Sequence, residues 1–163
     1  YIKMVSKKTA VLLECACQCG ATLSSENKDL IRNYGKYGLY LGIAFQIRDD
    51  FLGIWGNEEL TGKPSGIDIL ERKKSYPIIW ALENSSAANR KELTEIYKQT
   101  ELCNSDVEKI KDILARVNAG KYTKEIAYEY YNKALKSLQK TRINNEYNTA
   151  LIELAEFLIE RDF

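Results

Sequence analysis

Between Glu26 and Trp55 no proline interrupts the chain, and apolar or small residues recur at helical spacing: Leu30, Ile31, Tyr34, Gly38, Leu41, Gly42 and Phe45. Gln46, Asp49 and Asp50 continue the same face. This pattern predicts one helix about 45 Å long at 1.5 Å per residue, with Ser24 and Ser25 offering an N-cap ahead of Glu26. A helix of that length is stable only if other elements cover its apolar stripe. Gly35, Gly38 and Gly42 leave room along it, and the small-x-x-x-small spacing reads as close packing of a second helix.

The rest of the chain supplies suitable partners. Val5, Thr9, Leu12, Leu13, Ala16 and Gly20 follow helical spacing ahead of the long helix. Behind it, Gly53, Gly56, Gly62, Pro64 and Gly66 mark a loop, and Pro77 suits the first turn of a helix through Leu82. Asn84-Ser85-Ser86 reads as a turn. Further amphipathic helices are expected over about residues 88–99, from a Ser105/Glu108 capping box to a stop at Gly120, from Thr123 to Thr141, and through Tyr147, Leu151, Leu154, Ala155 and Leu158. No useful run alternates as a strand would, and no repeat is visible. The fold class is all-α, and residues 1–163 read as one domain without an internal boundary.

Several function classes fall away on composition. Lys plus Arg number 24 against 23 Asp plus Glu, a near balance that argues against a nucleic-acid binder or a polybasic membrane-surface protein. There is no His, which removes Ser-His-Asp and Cys-His nucleophiles and every His-based metal site. The longest apolar stretch, Tyr37 to Ile47, is well short of the roughly 20 residues of a bilayer span and is closed by Arg48. Cys15 and Cys19 share a helix face while Cys17 points elsewhere, which suits small buried residues better than a zinc cage. With Cys103 alone, no disulfide framework is expected, and reduced thiols point to the cytoplasm. Tyr1-Ile2-Lys3-Met4-Val5 already reads as mid-helix, so the chain is expected to be a piece of something longer.

The chemistry concentrates in Phe45-Gln46-Ile47-Arg48-Asp49-Asp50-Phe51-Leu52-Gly53. Adjacent carboxylates on an apolar helix face repel each other and need compensation. A hard divalent cation supplies it, since Mg²⁺ takes one or two carboxylates together with phosphate oxygens. Downstream stand Thr61-Gly62-Lys63-Pro64, then Asp68, Arg72, Lys73 and Lys74. They are not a P-loop: Gly56 is one residue too far from Gly62, Pro64 replaces the required Ser or Thr, and a helix precedes the loop. A lysine ahead of a proline sits on extended backbone and offers a point charge suited to phosphate, whereas Arg72-Lys73-Lys74 alone reads as a solvated face.

Taken in order, these residues resemble the second aspartate-rich region of the trans-isoprenyl diphosphate synthases, also called polyprenyl synthetases. The resemblance runs through Tyr1-x-x-Met4, Lys8-Thr9-Ala10, Gly38, Gly42, Phe45-Gln46-x-x-Asp49-Asp50, Thr61-Gly62-Lys63, Asp68-x-x-x-x-Lys73 and Pro77, over about residues 1–83. It implies a helical bundle around a central cavity, of which this chain is the C-terminal part, and a homodimer. It also implies a Mg²⁺-dependent prenyltransferase that condenses an allylic diphosphate with isopentenyl diphosphate into a short-chain product of C15–C20. On that resemblance Asp49 and Asp50 bind Mg²⁺. Lys8, Lys63 and Lys73 hold the allylic diphosphate, and Thr9 and Gln46 place oxygen dipoles near the allylic cation.

Breaking an allylic C–O bond leaves charge on the departing diphosphate and a carbocation behind. Metal and ammonium groups stabilise the first, oxygen dipoles and an aromatic face such as Phe45 the second, and water must be kept out. No protein nucleophile is required, in keeping with a chain without His. Two departures stand out. Gly53 replaces the family's third aspartate, as in synthases with a similar Gly53-Ile54-Trp55-Gly56 stretch, and it reads as a variant. The first aspartate-rich motif and the arginines for isopentenyl diphosphate are not in the chain, so it is expected to be inactive alone. A terpene-cyclase-like enzyme and a non-catalytic subunit of a heteromeric synthase are the alternative readings.

Overall fold

The computed structural model describes residues 1–62 and 64–161, the side chains of Leu60 and Thr61 excepted. The described residues contain helices and no strand, as the periodicity requires. In order they are α1 (Ile2–Val5), a π-helical turn (Ser6–Ala10), α2 (Val11–Ser24), α3 (Lys28–Trp55), α4 (Glu58–Thr61), α5 (Ile67–Leu70), α6 (Tyr76–Asn84), α7 (Ala87–Lys98), α8 (Asn104–Arg116), α9 (Ala119–Gln139) and α10 (Glu146–Glu160).

Local chemistry sets most of the ends, at several places not where expected. Ser24 remains inside α2, bonding the Gly20 carbonyl, and Ser25 accepts from the Asn27 amide. Asn27 therefore caps α3, its Oδ1 accepting from the amides of Asp29 (3.0 Å) and Leu30 (3.2 Å). The expected Ser105/Glu108 box is displaced two residues towards the N-terminus. Cys103 caps α8, and the Asp106 carboxylate accepts from the Cys103 amide at 3.2 Å. Gly120 does not stop α8 but lies in the first turn of α9; Asn118, at φ 52°, makes the left-handed turn between them. Pro77 occupies the first turn of α6, and Ser85-Ser86 turns the chain into α7.

The chain forms two compact units. The first takes Tyr1–Arg48 and Ile126–Arg161. Its core is Tyr37 and Leu41 of α3 against Ala134 and Leu138 of α9 and Ala155 of α10. Here the α3 glycines do what their spacing suggests. A Cβ on Gly38 would strike the Leu13 carbonyl, and one on Gly42 would lie 2.6 Å from the Ala10 Cα, so the backbone before and within α2 lies directly on α3. At the other end, Arg48 is buried and donates to the Arg161 carbonyl (3.0 Å from Nε, 2.6 Å from Nη2), fastening the end of α10. Cys15 and Cys19 share an α2 face as their spacing requires, thiols 3.9 Å apart. They are exposed, however, not buried: only Cys17, on the other face, packs towards the core.

The second unit holds Asp49–Glu125. Its core gathers Ile54, Ile69, Ile78, Ala81, Leu93, Ile96, Ile110, Ile113 and Leu114, from the end of α3 and from α5, α6, α7 and α8. This packing holds the short helix α5 against the end of α3, and with it the residues that matter most for chemistry.

Candidate functional site

Within the first unit the chain widens to a π-helical turn at Ser6–Ala10, which carries Lys8 and Thr9. Such turns are energetically poor and persist where surrounding packing demands them; here Ala10 is pressed against Gly42. Thr9 Oγ1 donates to Gln46 Oε1 at 3.0 Å, joining two predicted residues far apart in sequence. Lys8, one residue earlier, is exposed. On α3, the Phe45 ring one residue before Gln46 lies 4.5 Å below the Arg161 guanidinium.

The second unit brings Asp49, Asp50 and Lys73 together. Asp50 is almost fully buried and hydrogen-bonded on both oxygens. Its Oδ1 is 3.0 Å from Lys73 Nζ, and its Oδ2 accepts the Tyr76 amide at 2.8 Å at the start of α6. A carboxylate at a helix N-terminus is well placed electrostatically, and this one is held as a structural anchor. Asp49 is different: its side chain is 47% exposed, and its Oδ2 lies 4.0 Å from Lys73 Nζ. The neighbouring acids thus have different environments. Lys63, the other loop lysine assigned to diphosphate, lies outside the described residues.

A third acid, to which the sequence reading gave no role, completes the group. Asp68 of α5 accepts from Lys73 Nζ at 2.8 Å and is largely buried. The chain places the two residues together with a compact turn. Lys73 N donates to the Asp68 carbonyl and Arg72 N to the Ile69 carbonyl, both at 2.8 Å, closing the end of α5. Arg72 takes the left-handed position, φ 53°, that glycine usually fills, and its guanidinium is anchored to the Gln99 carbonyl at 2.7 Å. The Tyr97 hydroxyl reaches the Lys73 carbonyl. An acid five residues ahead of a lysine, across a helix end, is the sequence signal that could have found the pair.

Gly53 explains how Asp68 fits. A Cβ at position 53 would overlap the Asp68 carboxyl group. The side chain missing from the third motif position is therefore matched by a carboxylate arriving from α5.

The electrostatics follow from three acids sharing one ammonium. Burial alone would lower the Lys73 pKa, but its hydrogen bond to Asp68 and the charges of Asp50 and Asp68 outweigh it and hold the amine above the ordinary lysine range. Burial pushes the Asp68 carboxyl up; Lys73 opposes that rise, and Asp50 and Asp49 add to it. Lys73 is thus firmly charged, a single ammonium facing three carboxyl groups. The basic triplet is accordingly not a plain solvated face at its centre: Lys73 is 37% exposed and paired.

Among the described residues, no three acids or thiols surround a common point as a ready-made cation cage. The hard-oxygen donors nevertheless suit Mg²⁺, which needs only one or two carboxylates when phosphate oxygens complete its shell. Also among the described residues, no helix is long and apolar enough to cross a membrane.

Comparison with known proteins gives the family and the fold. Residues 1–114 match the polyprenyl synthetase family model. The chain is 35% identical to geranylgeranyl diphosphate synthase of Saccharolobus solfataricus, over 99% of this chain and 48% of the relative. It is 32% identical to a short chain isoprenyl diphosphate synthase of Methanothermobacter thermautotrophicus, over 99% of this chain and 49% of the relative. Among solved structures, geranylgeranyl pyrophosphate synthetase from Pyrococcus horikoshii superposes with a TM-score of 0.90 at 31% identity, covering 99% of this chain and 48% of that one. The chain thus spans about half the length of the curated relatives it matches. On the extent of the family match and the fold it shares with these synthases, the chain belongs to the polyprenyl synthetase family.

Proposed function

We propose that this chain is the C-terminal part of a single synthase domain and supplies the allylic-diphosphate half of a Mg²⁺-dependent trans-prenyltransferase. The reaction joins an allylic diphosphate to isopentenyl diphosphate and yields a short-chain isoprenyl diphosphate of C15–C20. The observation that carries the reading is the half-exposed Asp49 carboxylate beside an ammonium, Lys73, fixed by two buried acids. That combination offers an anion-seeking metal site and an anion-seeking amine side by side.

In this reading Asp49 and Asp50 hold Mg²⁺, and without the metal Asp50 meets Lys73 and the start of α6. When bound, the metal neutralises the diphosphate and favours its departure. Lys73, with Lys8 and Lys63, orients the diphosphate and stabilises the charge it gains. Each such donor contributes about 2–4 kcal/mol in a water-poor site. Thr9 commits its proton to Gln46, so its oxygen has lone pairs rather than a proton to offer a developing carbocation. Isopentenyl diphosphate is received by residues beyond this chain, and the working enzyme is a homodimer.

The test uses the complete synthase carrying this sequence, incubated with labelled isopentenyl diphosphate, an allylic diphosphate and Mg²⁺. Longer diphosphates formed only with metal support the reading, and this chain alone is expected to show no turnover. A diphosphate-free hydrocarbon, or no product from the complete protein, sinks it.

A further inference from the structure

Three acids, Asp49, Asp50 and Asp68, converge on the single ammonium of Lys73. We propose that Lys73 is a resident counter-ion: it holds Asp49, Asp50 and Asp68 together in the metal-free protein, and an incoming divalent cation displaces it. This rests on the divalent-cation reading of the acids and adds an order of events to it. The cation takes over the acids, and the freed amine turns to the diphosphate, so metal binding and substrate binding favour each other.

Four observations carry the proposal. Lys73 Nζ lies 2.8 Å from Asp68, 3.0 Å from Asp50 and 4.0 Å from Asp49, so one amine answers all three charges. Its contact with Asp49, the most exposed acid, is the longest, so that ligand is the one most easily taken over. The backbone on either side of the side chain is fixed, by Lys73 N on the Asp68 carbonyl and by Tyr97 on the Lys73 carbonyl, while the flexible four-carbon stem is not. The ammonium can therefore move without the loop unfolding. Finally, Gly53 admits the Asp68 carboxyl to the group, and without that acid Lys73 would lose its shortest ion pair. A lone lysine serving only diphosphate would need none of these acids within reach.

Mn²⁺ binding, measured by calorimetry on the complete synthase carrying the wild-type sequence, K73M or K73R, tests the proposal without any turnover. K73M should bind Mn²⁺ about tenfold more tightly than wild type, because the competing charge is gone. K73R, which keeps a cation in place, should stay near wild type. Without metal K73M should melt below wild type, and Mn²⁺ should raise its melting temperature by the larger increment. Equal or weaker binding by K73M overturns the counter-ion role and leaves the functional reading intact. Absence of Mn²⁺ binding by all three proteins, with inorganic diphosphate present, removes the metal reading itself. Should K73M not fold, the complete wild-type synthase labelled with ¹⁵N-lysine decides. The hydrogen-bonded Lys73 ammonium resonance, identified by its loss in K73R, should shift or broaden on adding Mg²⁺, and a resonance unmoved at saturation overturns the proposal.

Discussion

The Cα of Gly53 and the carboxyl group of Asp68 share a space too small for one more carbon. This contact decides what replacing Gly53 does. In a helix, glycine to alanine ordinarily gains about 1 kcal/mol. Here the new methyl group must push aside a largely buried carboxylate that is bonded to Lys73, an overpacking cost of about 1–3 kcal/mol. We expect G53A to be destabilised by about 1 kcal/mol net, and G53D by more, since it adds a like charge to the acids. Urea denaturation of the two variants measures this. A G53A chain more stable than wild type would show that Asp68 moves freely.

Asp49 and Asp50 should separate cleanly under mutation. Asp50→Ala removes a buried acceptor from both Lys73 and the Tyr76 amide and should cost about 3–5 kcal/mol of stability. Asp49→Ala removes a half-exposed side chain and should stay within about 0.5 kcal/mol of wild type. In the complete synthase, however, Asp49→Ala should lower turnover at least about a hundredfold. Melting curves and product assays on both variants check the split. Near-normal turnover in the Asp49 variant would remove that residue from the chemistry.

What could be read in advance follows the range of the physics involved. The long helix to Trp55, the first turn at Pro77 and the paired acids were legible because periodicity, a fixed φ and charge repulsion act over a few residues. The caps were legible only to within two or three residues, because several polar side chains compete for each helix end: Asn27 over Ser24 and Ser25, Cys103 with Asp106 over Ser105 with Glu108. The π-helical turn and the role of Asp68 were not legible. Each depends on two segments meeting, Ala10 on Gly42 and Asp68 on Gly53, and a glycine does not say which neighbour fills its space. The exposure of Cys15 and Cys19 is not legible for the same reason, since periodicity places residues on a face without saying what covers it.

Thr9 and Gln46 should behave as one unit. Thr9→Val preserves shape and deletes the hydrogen bond to Gln46, whereas Thr9→Ser keeps it. A double-mutant cycle pairing Thr9→Val with Gln46→Ala should give a stability coupling of about 1 kcal/mol. In the complete synthase, Thr9→Val should slow turnover about tenfold or more while Thr9→Ser stays close to wild type. Additive effects in the cycle would show that the two side chains act independently.

Alkaline titration offers a check on both cores. Burial pushes the phenols of Tyr37 and Tyr97 well above the ordinary tyrosine value; Cys17 and Tyr131 add to the rise at Tyr37, and Asp68 at Tyr97. The Tyr37 hydroxyl donates to the Leu151 carbonyl at 2.6 Å. A phenol whose pKa is raised by folding contributes stability in full below the unfolded value of about 10, and loses it as pH climbs towards the folded value. The chain should therefore keep its stability up to about pH 10 on this account and lose it above that point. Phenolate absorbance should show Tyr37 and Tyr97 lagging, with Tyr131 also delayed, and the two buried phenols ionising together with the loss of helical circular dichroism. Tyr37→Phe should remove one of the lagging phenols and cost about 1 kcal/mol through the lost hydrogen bond to the Leu151 carbonyl. If both phenols ionise while the helices remain intact, these rings are not sealed in their cores as the structure has them.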